Sequence, residues 1–560
     1  MRLLQVYAGG DRVLVIDLDR TGADVLDVLE GVSVIAHNMS FEMAFIEIAG
    51  IALGAVHCTL QACRLMLGEH ATSLADGAEA FLDLKLDKAP QTSDWNAPHL
   101  TKRQIEYAAI DAVVAWRIAG KVLPYLHVQR AAYEIQMRAV PAVMRMEMRG
   151  FKLDVEAHAR LIKALAQRRT VAEQRYCEAC RECGHAELAD RVPSTPAQKA
   201  ALLTAFLSGD ELARWRKTKK SGALSTERSE LLRAAHYPPI LALVDLSRID
   251  KLLSSFGQTL TVLVSPVTGR IHAHYRVAGT NTGRASCSGP NLQNIPRTPD
   301  DPDDPIDFRA LFVPEPGCVI VVADYSSMEL RAAAHIYGDP VMTRAFEEGQ
   351  DLHKITAARM TGKAIEDVTR EERKGAKAVN FGAIYGIGAA SLVQSAWRGY
   401  QIVLDLYEAK RWLVAFTQTF PTFARGRAEN YERCAAARRI LIGKDAAQGF
   451  GRVFPFSRLT AGDNGYTTCC NLPVQGACAD AAMLALAYVD DRLFDAGIDG
   501  GPVAWLHDEI VLEVPEDQPE QAAEILKQAM IDGFAETFPG APLNGLVEPH
   551  IGPNWGEAKQ

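Results

Sequence analysis

The sequence predicts a multidomain protein that joins an α/β segment to larger α+β regions, and three observations carry that expectation. Its 560 residues exceed what one hydrophobic core usually organises. The first 120 residues alternate short apolar runs with helical patterns. Further on, two dense apolar runs at 318–323 and 503–514 fit buried strands set between long helical stretches.

Taken in order, Leu3 to Tyr7 and Val13 to Asp17 read as strands separated by the Gly9-Gly10-Asp11 turn. A helical pattern from Ala23 to Leu29 leads to a strand from Ser33 to His37. Glu134 to Thr261 is mostly helical and charged, broken by a polar loop from Arg216 to Gly222. A Pro- and Asp-rich loop at 298–305 precedes the strand Cys318 to Ala323, which ends on Asp324. Residues 351–437 return to helix, and Val503 to Val514 reads as two strands around a tight turn with Asp508 at its tip. No internal repeat or long low-complexity tract interrupts this order.

Composition narrows the class. With 48% hydrophobic and 23% charged residues, the chain has an ordinary globular make-up. No stretch approaches the roughly 20 uninterrupted apolar residues of a membrane span. The N-terminus lacks the apolar run and small-residue cleavage site of a signal peptide. An intracellular, cytoplasmic setting is expected. The net charge of -9 does not advertise a nucleic-acid binder, but an acidic exterior can enclose a basic cleft. The eleven cysteines suit reduced thiols. Cys177, Cys180 and Cys183, followed by His185, have metal-like spacing. They fall in a charged helical pattern from Arg175 to Leu188 with no second Cys/His pair nearby, so helical thiols are the plainer reading.

Two strand-end aspartates alone would usually be exposed turn residues. The stretch between them shifts the balance. Arg373, Lys377, Phe381 and Tyr385 recur every four residues in RKGAKAVNFGAIYG and share one helical stripe. Two cations and then two aromatics offer a surface for a triphosphate at one end and a flat base at the other. Gly382 and Gly386, read as helical, weaken the plainer view of an amphipathic helix, because mid-helix glycine costs stability unless something approaches closely.

At these residues the chain resembles family A DNA polymerases, the bacterial DNA polymerase I type. Asp324-Tyr325-Ser326-Ser327-Met328-Glu329-Leu330-Arg331 is similar to their first palm motif, Arg373 to Gly386 to their fingers motif, and His507-Asp508-Glu509 to their second palm motif. Thr280 to Arg284, Pro290 to Pro296, and Asn471 through Gln475 to Asp480 also match, in the family's order. The resemblance implies a right-hand polymerase: 131–310 palm start and helical thumb, 311–350 and 441–560 palm, 351–440 fingers. It also implies an enzyme that adds deoxynucleotides to a primer on template DNA. Asp324 and Asp508 would bind two magnesium ions, with manganese able to substitute, and Glu509 would support them. Arg373, Lys377 and His353 would hold the triphosphate, Lys377 also serving as the acid for the leaving pyrophosphate. Phe381 would pack against the incoming sugar and base, with Tyr385 beside the templating position, and Glu329 would act as steric gate. Arg284, Asn471, Gln475 and His507 would contact primer–template, partly in the degenerate minor groove. Arg248, Lys251 and Ser254 would touch backbone phosphates.

Ser327 stands where Gln is frequent and Met328 where Ile is usual, which implies tuning rather than loss. Phe381 replaces the Tyr that tolerates dideoxynucleotides, so discrimination against them is expected.

Residues 1–130 resemble a 3′–5′ proofreading exonuclease of RNase H-like fold, truncated at its start. Asn38 and Glu42, and Tyr107 and Asp111, fall in its second and third motifs, and Asp94, Trp95 and Gln104 fit the same domain. The first motif is the exception. Asp17-Leu18-Asp19 imitates it, yet too little chain separates Asp19 from Asn38 for the strands the fold needs there. The first strand and its acidic pair are therefore expected before Met1, and the exonuclease is expected to be inactive. No room is expected for a 5′ nuclease. A monomer is expected, with primer–template DNA and dNTPs as partners and no membrane; the sequence names no processivity factor. An exonuclease with a DNA clamp, a single-subunit RNA polymerase and a catalytically dead DNA-binding protein are the alternatives. The Arg373–Tyr385 stripe, Glu329 and the retained aspartates weigh against them in turn.

Overall fold

Ile320, Val321 and Val322 are wholly buried, as a strand covered on both faces requires. In the computed structural model, which describes residues 2–68, 73–218, 221–299, 306–443, 445–460 and 463–559, they lie in Cys318–Asp324. That strand sits inside a four-stranded sheet whose order is Gly501–Leu506, Glu509–Pro515, Cys318–Asp324, His550–Gly552. All its pairings are antiparallel, and the register sets Asp324 opposite Glu509. Gly501–Leu506 and Glu509–Pro515 form the expected hairpin, with His507 at φ 59° in the left-handed region of the turn. Few side chains accept that conformation without cost, and His is among the more tolerant.

Helices Arg130–Arg149, Tyr466–Asp495 and Pro519–Thr537 pack against this sheet. Tyr466–Asp495 is the one helix, among the described residues, long and apolar enough to cross a membrane; 89% of its most apolar window is buried inside the protein. Its length serves the core.

The helical reading of 134–261 needs one correction. Gly150, at φ 63°, stops Arg130–Arg149, and Phe151–Leu153 is a strand. It pairs with Arg270–Ile271 and Phe312–Val313 in a three-stranded sheet. Helices Val155–Glu182 and Pro238–Phe256 then run out along each other to a separate core around Tyr176, Cys180, Leu202 and Trp215. The helix bearing the cysteines ends at Glu182 rather than continuing to Leu188. Cys180 is buried and Cys183 exposed, and no group of three or more His, Cys, Asp or Glu placed to hold a metal occurs among the described residues. Lys219 and Lys220 of the polar loop, and residues 300–305 of the Pro/Asp loop, lie outside the described residues.

Leu3–Val6 and Leu14–Asp17 form the expected antiparallel pair. Ala23–Leu29 is a 3₁₀ helix. Val34–Ala36 pairs in parallel with Val56–Cys58, a strand the sequence reading did not identify. The two pairs remain separate two-stranded sheets. Arg145 ties this region to the large core, binding Glu47 at 2.9 Å and the buried Asp490 at 2.7 Å.

Candidate active site

The carboxylates gather where the central strands end. The Tyr325 N–H donates to the Asp508 carbonyl at 3.2 Å, which locks the hairpin tip against the end of Cys318–Asp324. Burial, then the nearby charges of Glu329 and Asp324, push the Asp508 carboxyl up to about 6. Glu509 is 6% exposed and fully engaged. It accepts from Arg309 at 3.1 Å and from the Trp555 indole at 2.8 Å, and it pairs with Lys559 at 2.9 Å. Lys559 also reaches Asp324, at 2.6 Å. Such crowding of hard oxygen donors, which strains Asp508 toward its neutral form, suits a divalent cation. No three such groups converge as a ready-made cage among the described residues. Magnesium is commonly held by one or two carboxylates together with substrate phosphates, and two aspartates fit that pattern.

Glu329 opens helix Met328–Tyr337, which begins from Ser327 at φ 54°. Its carboxylate accepts from Arg284 at 2.8 Å, so the expected steric gate and the expected DNA contact are joined by an ion pair. The buried Arg331 on the same helix donates to the carbonyls of Ser326, Pro542 and Asn544 at 2.8–3.0 Å, fixing the turn after Asp324.

Helix Arg370–Ile384 starts with a capping box between Thr369 and Glu372. Arg373, Lys377, Phe381 and Tyr385 are all half-buried, while Gly375, Ala376, Ala378, Val379 and Asn380 between them are buried. The stripe is therefore the partly open face of the helix. Tyr385 is the residue after the helix, not inside it, and Gly386 lies beyond at φ 71°. The close approach that excludes a Cβ comes from the protein itself. A Cβ at Gly382 would stand 2.7 Å from Ile387, and one at Gly386 would stand 2.7 Å from Cys470. Burial and the charges of Arg373 and Arg297 lower the Lys377 ammonium. Arg373 is held by Asp351 at 2.5 Å. His353 is buried, bonded to Asn380 at 2.9 Å and packed on Phe381, and burial lowers its imidazole to about 4.

Tyr385 hydrogen-bonds Gln475, and a cleft of about 410 Å³ beside it is lined by Asn281, Thr467 and Asn471 among others. The Asn471 Oδ1 is buried there without a protein partner. Burial and Arg284 lower the His507 imidazole. On Pro238–Phe256, Arg248, Lys251 and Ser254 are exposed.

Residues 162–557 match the family model of DNA polymerase family A. The chain belongs to that family. By family it is a DNA-directed DNA polymerase, a nucleotidyltransferase. Residues 6–127 match the 3′-5′ exonuclease model. DNA polymerase I of Aquifex aeolicus is 30% identical, the match covering 94% of this chain and 91% of that relative. DNA polymerase I of Chloroflexus aurantiacus is 31% identical over 93% of this chain and 54% of its own length, so the chain spans about half of that longer relative. The structure of the POL domain of Pol1 from M. smegmatis, in complex with DNA primer-template and dNTP, aligns with a TM-score of 0.80 at 22% identity. The alignment covers 98% of this chain and 91% of that one. The fold is thus the right-hand polymerase fold behind an exonuclease-like N-terminal domain.

Within the family A site, sequence reasoning missed Arg309, Lys559, Arg297 and Asp351. Arg297 follows directly on the Pro290–Pro296 motif, and Asp351 is the N-cap two residues before His353, so adjacency could have flagged both. Arg309 and Lys559 reach Glu509 from distant parts of the chain, with no local signal. In the exonuclease-like domain, burial raises Glu42 to about 7 and Asp111 to about 6, and Glu42 Oε2 is buried without a partner. Tyr107 hydrogen-bonds Asp111. Asp17 and Asp19 instead each lie 3.6 Å from Arg2.

Proposed function

We propose that this chain extends a DNA primer on a template by transferring a deoxynucleotidyl group to the primer 3′-hydroxyl, with Asp324 and Asp508 holding two magnesium ions. The observation that carries this reading is the register of Asp324 against Glu509, with Asp508 locked at the adjacent tip by its carbonyl bond to Tyr325. When bound, two divalent ions stabilise charge on the attacking and leaving oxygens. Manganese is expected to substitute.

The protein's own groups do the rest. Arg373 and Lys377 draw the triphosphate to the open stripe, and the lowered Lys377 releases its proton more readily to the departing pyrophosphate. His353, neutral and buried, positions Asn380 and Phe381 and offers its remaining edge to phosphate. Phe381 packs on the incoming sugar and base, and Tyr385 stands beside the templating position. Glu329, held by Arg284, crowds a ribose 2′-hydroxyl. Arg284, Asn471, Gln475 and His507 follow the primer–template near its end, and Arg248 and Lys251 meet backbone phosphates farther out. The regions 131–310, 311–350, 351–440 and 441–560 serve as thumb with palm start, palm, fingers and palm.

The exonuclease-like domain is read as inactive. The candidate acidic pair at Asp17 and Asp19 is engaged by Arg2, and Glu42, raised to about 7 by burial, is only partly ionised near neutrality. Primer extension with magnesium, run beside Asp508→Ala and a nucleotide-free reaction, tests both parts. Extension lost in the variant by roughly 10³-fold or more supports the site, on the scale of removing one transition-state-stabilising group. Metal-dependent shortening of the primer without nucleotides would show an active exonuclease. No extension by the parent would sink the polymerase reading.

A further inference from the structure

Lys559 occupies a position that the proposed two-metal reaction does not explain. Its Nζ lies 2.6 Å from Asp324 Oδ2 and 2.9 Å from Glu509 Oε2, so one ammonium bridges a proposed metal ligand and its neighbour. The two carboxylates depend on it unequally. Glu509 also has Arg309 and the Trp555 indole, both buried and both within 3.1 Å. Asp324, about half exposed, pairs with no cation but Lys559 among the described residues. The backbone that carries Lys559 is anchored by Trp555 and Ala558, which are 0% and 1% exposed. The side chain itself is a flexible four-carbon stem ending in a compact charge. An anchored base with a mobile cation can place its charge on Asp324 or withdraw it without moving the sheet.

We propose that Lys559 is a built-in counter-cation: it neutralises Asp324 and holds it beside Glu509 before metal enters, and swings aside when divalent ions bind. It thereby sets the metal concentration at which the site fills. This rests on the reading of Asp324 as a metal ligand. A single charge at ion-pair distance from a carboxylate competes directly with any ion seeking the same oxygen. Removing it exposes that oxygen, and leaves two neighbouring carboxylates short of one counter-charge when no metal is present.

The test is binding of Mn²⁺ alone to nucleotide-free protein, read from the electron paramagnetic resonance signal of the free ion. Parent, Lys559→Met, Lys559→Arg and Asp324→Asn are compared. The parent binds and Asp324→Asn loses that binding. Lys559→Met tightens it roughly fivefold, the scale of one partly exposed ion pair, whereas Lys559→Arg stays near the parent because the charge is kept. Metal-free Lys559→Met also melts below the parent and recovers more on adding Mn²⁺. Lys559→Gln gives the same comparison should the methionine variant not fold. Unchanged or weaker Mn²⁺ affinity in the uncharged variants, with the parent binding normally, overturns the proposal. Absence of any Mn²⁺ binding that depends on Asp324 overturns the metal-ligand reading, and this proposal with it.

Discussion

Glu147 offers a quantitative check on the packing beneath the loop proposed to contact DNA. It stands on helix Arg130–Arg149, and its carboxylate accepts the backbone N–H of Tyr275 in the strand His274–Arg276, which leads to Thr280 and Arg284. Burial raises the carboxyl from 4.5 to about 7, opposed in part by that hydrogen bond. Because the folded-state value lies above the unfolded one, the folded chain holds this proton longer. The carboxyl's contribution is complete below about pH 4.5 and is lost as the pH rises to about 7. At about 1.4 kcal/mol per unit, some two units of that interval lie above pH 5, or roughly 3 kcal/mol. Glu147→Gln keeps the shape and the acceptor but cannot ionise. Urea melts of parent and variant at about pH 5 and about pH 8 should therefore differ in their pH-dependent loss of stability by roughly 2–3 kcal/mol, the parent losing more. Parallel losses in the two proteins would refute the reasoning.

Arg309→Met leaves the buried Glu509 without the guanidinium that also stacks on Trp555 at 4.4 Å; a loss of roughly 3 kcal/mol is expected in thermal or urea melts. Glu329→Ala removes the crowding carboxylate and releases Arg284; ribonucleotide incorporation relative to deoxynucleotide should rise by roughly tenfold or more in single-turnover extension. Arg248→Ala with Lys251→Ala should weaken DNA binding evenly across sequences and reduce the slope of log affinity against log salt by about one per charge removed. Phe381→Tyr should ease acceptance of dideoxynucleotides in chain-termination assays, and no change would remove Phe381 from that role.

What the sequence disclosed followed from local periodicity. The strand ending on Asp324, the hairpin tip at Asp508 and the four-residue repeat from Arg373 each depend on neighbours in the chain; the structure shows the first two, and the helical repeat only as far as Phe381, with Tyr385 just past the helix end. Helix ends were less legible. Gly150 stopped a helix that charge and propensity would have continued, and Phe151–Leu153 became a strand because Ile271 and Phe312 were there to pair with it. Val56–Cys58 was missed for a similar reason: three residues are too few for a period, and parallel pairing to Val34–Ala36 is a tertiary fact. The cations around Glu509 were invisible because Arg309 lies 200 residues away in sequence.

That last gap separates the two acidic sites in this chain. A carboxylate that must receive a metal has to stay available as an anion before the metal arrives. At the proposed polymerase site cations pair with the carboxylates: Arg309 and Lys559 with Glu509, Lys559 with Asp324, and Arg284 with Glu329. Burial and the charges of Glu329 and Asp324 drive Asp508 upward, a shift that an incoming ion would relieve. In the exonuclease-like domain, burial is the leading influence on both Glu42 and Asp111, and no cation figures among the causes of either shift. Arg2 instead serves Asp17 and Asp19, and Arg145 serves Glu47 in fastening the domain to the core.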